Sequence, residues 1–587
     1  MRVPSFLAIS PGCRTLAFGT VLSVALSMCA QQAKPSLPPP APIATFIDIA
    51  EKAGLTTQNI FGGVDTKKYI IETTGTGVAI FDYDNDGWPD IFLVNGTRLE
   101  GFPAGQQGPT NRLYRNNHDG TFTDVTAKSG LTATGWGQGV CVGDYDNDGW
   151  EDLYITYYGK NRLYHNVHGV FTEVAEKAGV AGSGKAWGTG CAFIDYDRDG
   201  HLDLVVANYV DFDLATAPAP GERATCIWKG VPVMCGPAGL AWTKNILYHN
   251  RGNGTFEDVT TKAHIDRTDG HYAFSVSTLD FDEDGWPDIF IACDSTPSIL
   301  YRNNHDGTFT DMAVTAGAAF NEDGREQAGM GSTVADYNGD GHLDIFKTNF
   351  SDDTSTLYRN NGDGTFTDAT TVAGLGLYTQ YLGWGTMFFD VDNDGWPDLI
   401  LVNGHVYPEV DSQHLGSSYK EPRILYHNNG DGTFSDISAS AGPGITTAAS
   451  SRGLAVGDLW NDGRISIIVS NMNAQPSLLV NRIRNSNHWI AIRTVGTKSN
   501  RDGIGARLRV KTAARILVDE VRSGSSYISN SDMRVHFGLG SATKIEWVEI
   551  RWPSGLTERH TNLPVDQIHT LKEGSGVPVE AETKKPQ

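Results

Sequence analysis

The nine residues Asp82–Asp90, DYDNDGWPD, are the strongest constraint on what this chain can fold into, because they recur. The copies are DYDNDGWED from Asp144, DYDRDGHLD from Asp195, DFDEDGWPD from Asp280, DYNGDGHLD from Asp336, DVDNDGWPD from Asp390 and a worn DLWNDGRIS from Asp458. Their starts lie 62, 51, 85, 56, 54 and 68 residues apart. Other pieces keep the same phase. LYRNN or LYHN follows each of the first six, from Leu113, Leu163, Leu247, Leu300, Leu357 and Leu425, and SLLVNR at Ser477 follows the seventh. A GTFTDVT-like run precedes each, starting with ATFIDIAEKAGL at Ala44. One unit therefore reads as strand, loop, Gly-rich strand, Asp loop, apolar strand, turn and short strand. Four short strands per unit, with no helical periodicity, are the pattern of a propeller blade. Seven units over residues 44–481 predict an all-β fold built as a closed seven-bladed β-propeller, and closure removes the free sheet edges that invite aggregation.

Glycine placement agrees. Seven residues before each Asp loop stand Gly75, Gly137, Gly188, Ala273, Gly329, Gly383 and Ser451; five before stand Gly77, Gly139, Gly190, Ser275, Gly331, Gly385 and Gly453. Only small residues occupy these phases, as expected where the innermost strands converge on one axis.

The Asp loop offers carboxylates at positions 1, 3, 5 and 9 with Gly at 6. An EF-hand is excluded: position 12 is Leu93 or Ile155 where a bidentate Glu is needed, and the flanks are strand-like. What remains is an all-oxygen, multi-carboxylate site suited to calcium, with no thiol for zinc. The predicted ligands are Asp82, Asp84, Asp86 and Asp90; Asp144, Asp146, Asp148 and Asp152; Asp195, Asp197, Asp199 and Asp203; Asp280, Asp282, Asp284 and Asp288; Asp336, Asn338, Asp340 and Asp344; and Asp390, Asp392, Asp394 and Asp398. Mere turn residues would let position 9 vary, yet all six copies keep it. About six calcium ions are expected. The seventh copy, with Trp460 at position 3 and Ser466 at position 9, is expected to have lost its ion.

These repeats resemble the FG-GAP/VCBS repeats of integrin α-chain propellers, whose calcium sits in the hairpin between the first two strands of a blade. The resemblance implies that calcium is a structural staple on one rim. Beyond Asn481 the repeat stops. Alternating runs such as WIAIRTV, ARLRV and WVEIRW read as half-buried strands, and SNRDGIGARLRV, HFGLG and IRWPSG together resemble the ASPIC/UnbV domain. That domain follows such repeats in exported bacterial proteins and in the cartilage acidic protein-like family, so residues 482–575 are expected to form a small β-sandwich-like domain and residues 576–587 a disordered tail. The resemblance implies extracellular interaction and calcium binding, and no established reaction.

Of the net charge of -23, residues 1–481 carry -29 and residues 482–587 carry +6. The ligand positions of the six intact loops hold 23 Asp, one third of the 69 acidic residues, so much of the acidity is metal-ligating and no nucleic-acid partner is expected. The basic end raises a separate reading, polyanion binding through Arg507, Arg509, Lys511, Arg515, Arg522 and Arg534.

Residues 1–33 read as a secretory signal: Arg2 and Arg14, then the apolar run Thr15–Met28, too short for a comfortable membrane span. LSMC resembles a lipobox ending at Cys29, with plain cleavage near Ala30 or Ala33 as the alternative. Residues 34–43 form a Pro-rich spacer. The chain is thus expected to be exported: periplasmic, an outer-membrane lipoprotein or secreted, with membrane contact only through such an anchor. In an oxidising compartment Cys226 and Cys235, in CIWKGVPVMC, are expected to form a local disulfide, whereas Cys141, Cys191 and Cys293 read as buried small hydrophobes.

If calcium hairpins line one rim, the unequal connections at 96–110, 209–242 and 404–422 lie on the other, and they mark the expected face for an extracellular protein or carbohydrate ligand. Asn349 and Asn403 belong to a set of five Asn placed thirteen residues after the loop starts; with His405, Tyr407, Trp384 and Arg452 they are the candidate ligand residues. The amides equally suit strand capping. No nucleophile–base pair or phosphate loop stands out. His405, Tyr407 and Glu409 with Arg452 offer the constellation a polysaccharide lyase would use, which leaves the enzyme question open beside the interaction module.

Overall fold

The computed structural model describes residues 42–579 apart from 104 and 267–269; the signal, most of the spacer and the last eight residues lie outside the described residues. Among the described residues there are seven four-stranded antiparallel sheets, numbered here in chain order. Sheet 1 is Val78–Phe81, Asp90–Leu93, Arg112–Asn116 and Phe122–Asp124. Each Asp loop joins the first two strands of its sheet, so loops 1–7 are named with their sheets. Sheet 7 (Ser451–Gly457, Ser466–Asn471, Ser477–Asn481) takes its fourth strand from the other end of the repeat region, Phe46–Asp48, paired Phe46 to Asn481. First strands of successive sheets pack side by side in a cycle that returns from sheet 7 to sheet 1, which makes the architecture a β-propeller. Both faces of each sheet are covered by neighbours, which is why strands such as Asp203–Asn208 and Asp288–Cys293 are buried at every position rather than alternating.

The C-terminal part forms two sheets, three-stranded (with His488–Val495 central, flanked by Val535–Gly540 and Gln567–Lys572) and five-stranded (with Arg507–Lys511 and Trp547–Arg551 inside). Their core, Ile490, Leu508, Val548, Ile550 and Trp552, is fully buried. One boundary differs from expectation. Val577–Pro578, assigned to a disordered tail, pairs with Thr557–His560 and extends the five-stranded sheet. A two-residue pairing at a sheet edge has too little pattern to be read from sequence.

This domain sits on the Asp-loop rim and sends residues 523–532 down the propeller axis. The N–H groups of Ile80 and Val140 donate to the carbonyls of Asn530 (3.0 Å) and Ile528 (3.1 Å), and that of Ser332 to Ser526 (3.1 Å). The N–H groups of Phe193, Thr386 and Val456 donate to the hydroxyls of Ser523, Ser526 and Ser531, while Ile528 N–H donates to Ser275. One loop thus bonds the first strand of all seven sheets, and satisfies backbone groups that an empty channel would leave to water. The small residues are explained more sharply than by strand convergence alone. A Cβ on Gly77 would stand 1.9 Å from Ile528 O, and one on Gly139 would meet Thr189 O at 2.3 Å and Ile528 Cβ at 3.1 Å. At the plug tip, Tyr527 is fully buried against Trp384 and Phe274, ring centroids 4.8 and 5.6 Å away.

Candidate metal centres and the opposite face

Each Asp loop is built the same way. Position 4 takes the left-handed conformation (φ 55° at Asn85, 61° at Asn147, 59° at Glu283), which favours Asn or Gly; Gly at position 6 has φ near 90°. The resulting turn aims the N–H group of position 6 at the first carboxylate, as from Gly87 to Asp82 at 2.9 Å; that of position 5 joins it in loop 1 (Asp86, 3.0 Å) and turns to position 3 in loops 3 and 4. The ninth residue accepts from position 2 on one oxygen (Tyr83 N to Asp90, 3.1 Å) and from the third strand on the other (Asn116 N to Asp90, 2.7 Å). Loops are laced around the rim: the amides of Asn85, Asn147, Asn393 and Asn461 donate to the carbonyls of Gly149, Gly200, Gly463 and Gly87.

Carboxylate oxygens of Asp82, Asp84 and Asp90, and of Asp144, Asp146 and Asp152, lie within 4.8 Å of one another, and further groups repeat the arrangement. Burial, aided by neighbouring Asp82 and Asp84, pushes the Asp90 carboxyl up to about 9. Burial likewise raises Asp152 and Asp195 to about 7 and Asp336 to about 6. Desolvated, mutually repelling carboxylates of this kind favour a cation. The oxygen donors fit calcium, with the ninth residue fully buried and already tied to backbone on both oxygens.

Two features escaped sequence reasoning. The Asn of LYxN was only a phase marker, yet its amide crosses to the preceding sheet: Asn166 to Tyr83 O (3.0 Å), Asn250 to Tyr145 O (2.8 Å), Asn360 to Phe281 O (2.8 Å). Its presence in every copy was the available signal. The residue before it, Arg or His, touches the loop as well. Arg115 Nε reaches Asp84 at 2.8 Å, and His249 Nδ1 reaches Asp203 at 3.1 Å. A guanidinium cannot ligate a metal, so in loops 1 and 4 Arg115 and Arg302 hold carboxylates only, whereas the ring nitrogens of His165, His249 and His427 lie within 4.8 Å of carboxylate oxygens of their loops and add a nitrogen donor there. In loop 7 a cation of the chain's own sits where the pattern fails: Arg464 at position 7 pairs with Asp462, and Arg534 donates to Asp458 O at 2.9 Å.

The basic C-terminal residues face this rim. Arg507, 7 % exposed, bonds Glu283 (2.9 Å) and Gly341 O (2.7 Å); Arg551 pairs with Asp280; Arg515 donates to Asp394 O (2.7 Å). Arg522 and Arg534 are 13 % exposed and paired with Asp519 and Asp532. Of the six cations offered to a polyanion, Arg509 is at the surface, paired with Glu549, and Lys511 is half-buried at the end of the same strand.

On the opposite face the candidate ligand residues do converge, inside a packed core. Arg452 is fully buried, 4.1 Å over Trp384, and donates to the carbonyls of Thr73, Gly404 and His405. His405 is fully buried between Trp228 and Tyr407, and burial with nearby Arg452 holds its imidazole down at about 3. Trp228 arrives on the insert 209–242, whose hairpin is closed by the Cys226–Cys235 disulfide. Asn349 and Asn403 donate to Thr354 O and Pro422 O, closing their own crossover loops. Trp187 is buried among Tyr209 and Phe212. Glu409 is half-buried at the edge of this core.

Comparison with known proteins matches this architecture. The FG-GAP-like repeat matches residues 82–155, 144–206, 238–291, 280–347 and 336–401, and the ASPIC and UnbV domain matches residues 496–578. The chain belongs to the FG-GAP-repeat propeller proteins that carry a C-terminal ASPIC and UnbV domain. Within that class it is similar to Cartilage acidic protein 1 of Mus musculus, 24% identical over 82% of this chain and 70% of that one. The Xenopus tropicalis protein of that name is 25% identical with the same coverage. Among solved structures it overlaps a lectin of Agrocybe aegerita (16% identity, 68% of this chain and 87% of that chain, TM-score 0.36). It also overlaps an exotype rhamnogalacturonan lyase, YesX (12%, 88% and 91%, TM-score 0.31). Overlaps this slight carry no functional weight.

Proposed function

We propose that the protein is an exported interaction module whose Asp loops hold calcium as structural staples, and whose ligand is an extracellular protein or carbohydrate. The observation that carries the reading is the rim itself: partly desolvated carboxylates converge in loop after loop, and the backbone of the loop is held by an Asn side chain of the next sheet. Calcium supplies the positive charge that lets these side chains stay ionised side by side. The chain's own part is to fix positions 1 and 9 by N–H donation, and to cover the rim with a basic domain. Export is supported by the Cys226–Cys235 disulfide; no helix among the described residues is long and apolar enough to cross a membrane.

The unequal inserts are the surface left for the ligand, because the C-terminal domain covers the other rim and the plug fills the axis. Exposed Leu214 and Ile227 on the disulfide-bearing insert are the apolar contacts such a surface offers. The test is a screen of glycans, polysaccharides and matrix proteins against the calcium-loaded protein, scoring both retention and release of unsaturated sugar. Retention without release, lost when residues 213–232 of the insert are shortened to a Gly-Ser turn, is the expected result. Release of unsaturated product would replace the module by a lyase.

A further inference from the structure

We propose that the seam between propeller and C-terminal domain binds a small organic carboxylate with a compact apolar body. A cavity of about 160 Å3 lies there, between the first strands of sheets 5–7 and the strand Ile516–Glu520, beside the plug. Space on this scale accommodates a benzene-sized molecule. Part of its wall is apolar, with Met387, Phe388, Leu517 and Met533.

The polar part of the wall holds the carboxylates Asp336, Asp390, Asp458, Asp519, Glu520 and Asp532 as well as Arg515, Arg522 and Arg534, and two of these arginines keep unused donors. Nε and Nη2 of Arg522 and Nη1 of Arg515 are buried without a hydrogen-bond partner. Both guanidinium groups are nonetheless anchored at their other ends: Arg522 Nη1 on Asp519 at 2.6 Å, Arg515 Nη2 on Asp394 O at 2.7 Å. The nearest carboxylate to Arg522 Nη2, Glu520, is 3.9 Å away and already takes Arg507 at 3.1 Å. Asp532, also on the wall, is held by Arg534 at 2.6 Å. Buried donors without a partner are costly, more so when charged, so an acceptor delivered from outside is favoured. A carboxylate matches the guanidinium fork geometrically.

His536 adds a second polar requirement. Asn393 donates through Nδ2 to Gly463 O (3.0 Å), which leaves its Oδ1 to accept from His536 Nε2–H (2.7 Å). His536 Nδ1, buried and unpartnered, is then a bare acceptor. A carboxylate at one end, a small apolar ring or branched chain, and a hydroxyl at the other end meet all three demands. An inorganic anion would leave the apolar wall wet, and a neutral hydrocarbon would leave the guanidinium donors unmet.

The test is 19F NMR of 4-fluorobenzoate with the calcium-loaded full chain. Saturable line broadening is expected, displaced by 4-hydroxybenzoate more readily than by benzoate and not displaced by sulfate. Arg522→Gln and Arg515→Gln, with unchanged circular dichroism, are each expected to weaken binding tenfold or more. Absence of saturable broadening, equal displacement by sulfate, or wild-type affinity in both variants would overturn the proposal. Should neither variant fold, a structure of the unmodified protein with 4-hydroxybenzoate decides: ligand beside Arg522 supports the site, and ligand elsewhere or absent refutes it.

Discussion

The Asn of each LYxN run, in the sequence a phase marker, bonds across sheets. In Asn250 one amide holds Tyr145 O of the preceding sheet and Leu202 O of its own, at 2.8 and 2.9 Å, and is fully buried. Asn250→Ala leaves two carbonyls unpaired, and we expect a loss of about 2–3 kcal/mol in denaturant unfolding of the calcium-loaded protein; a loss under about 0.5 kcal/mol, the size of a surface change, would contradict the linkage. Glu573 gives a pH prediction. Burial alone would raise its carboxyl, but the Ser554 hydroxyl and the N–H groups of Lys498, Thr497 and Ser499 outweigh burial and hold it at about 2, below the ordinary 4.5. A depressed folded value stabilises above the ordinary value, and that contribution disappears as pH falls toward about 2. Glu573→Gln should therefore lower the melting temperature at pH 7 and flatten its acid limb between pH 4.5 and 2; an unchanged limb would show that the network contributes nothing. At this scale the sequence was legible where chemistry repeats: Asp90, Asp152, Asp203, Asp288, Asp344 and Asp398 stand out by copy number alone. Glu573 was not legible, because the N–H groups that hold it lie about 75 residues away and occur once.

At the scale of elements, the plug is the finding that pattern did not give. SGSSYISNSD reads as a Ser-rich turn between strands, and only the pair Tyr527–Ile528 within it hints at burial. Its seven-fold use of serine hydroxyls and backbone requires the whole ring to exist first, so no local signal encodes it. The small residues five positions before each loop are steric, and at Gly77, Gly139, Gly331 and Gly453 the inserted plug is part of the reason. Tyr527→Ala empties the space beside Trp384 and Phe274, and a loss of about 3–5 kcal/mol is expected from the aromatic deletion, measured by equilibrium unfolding. A loss below about 1 kcal/mol would mean that the axis is not packed by this tip.

At the scale of the molecule, the acidic ring and the basic end form one electrostatic unit. Arg507, Arg515 and Arg551 of the basic end are turned toward the rim, a use of its charge that the sequence did not show. The repeat made the propeller and its carboxylate rim readable; the relation between the two parts was not, because domain docking depends on surfaces that exist only after each part folds. If docking rests on a metal-neutralised rim, removing metal should loosen both parts together. The most direct measurement is therefore metal content by mass spectrometry combined with calorimetric melting, before and after chelation and after calcium is restored. About six calcium ions per chain are expected. Each site held at 100 times its Kd contributes about 2.7 kcal/mol, so chelation should lower the melting temperature sharply and calcium should restore it. A chain that is free of metal as isolated and melts at the same temperature with and without calcium would contradict the account.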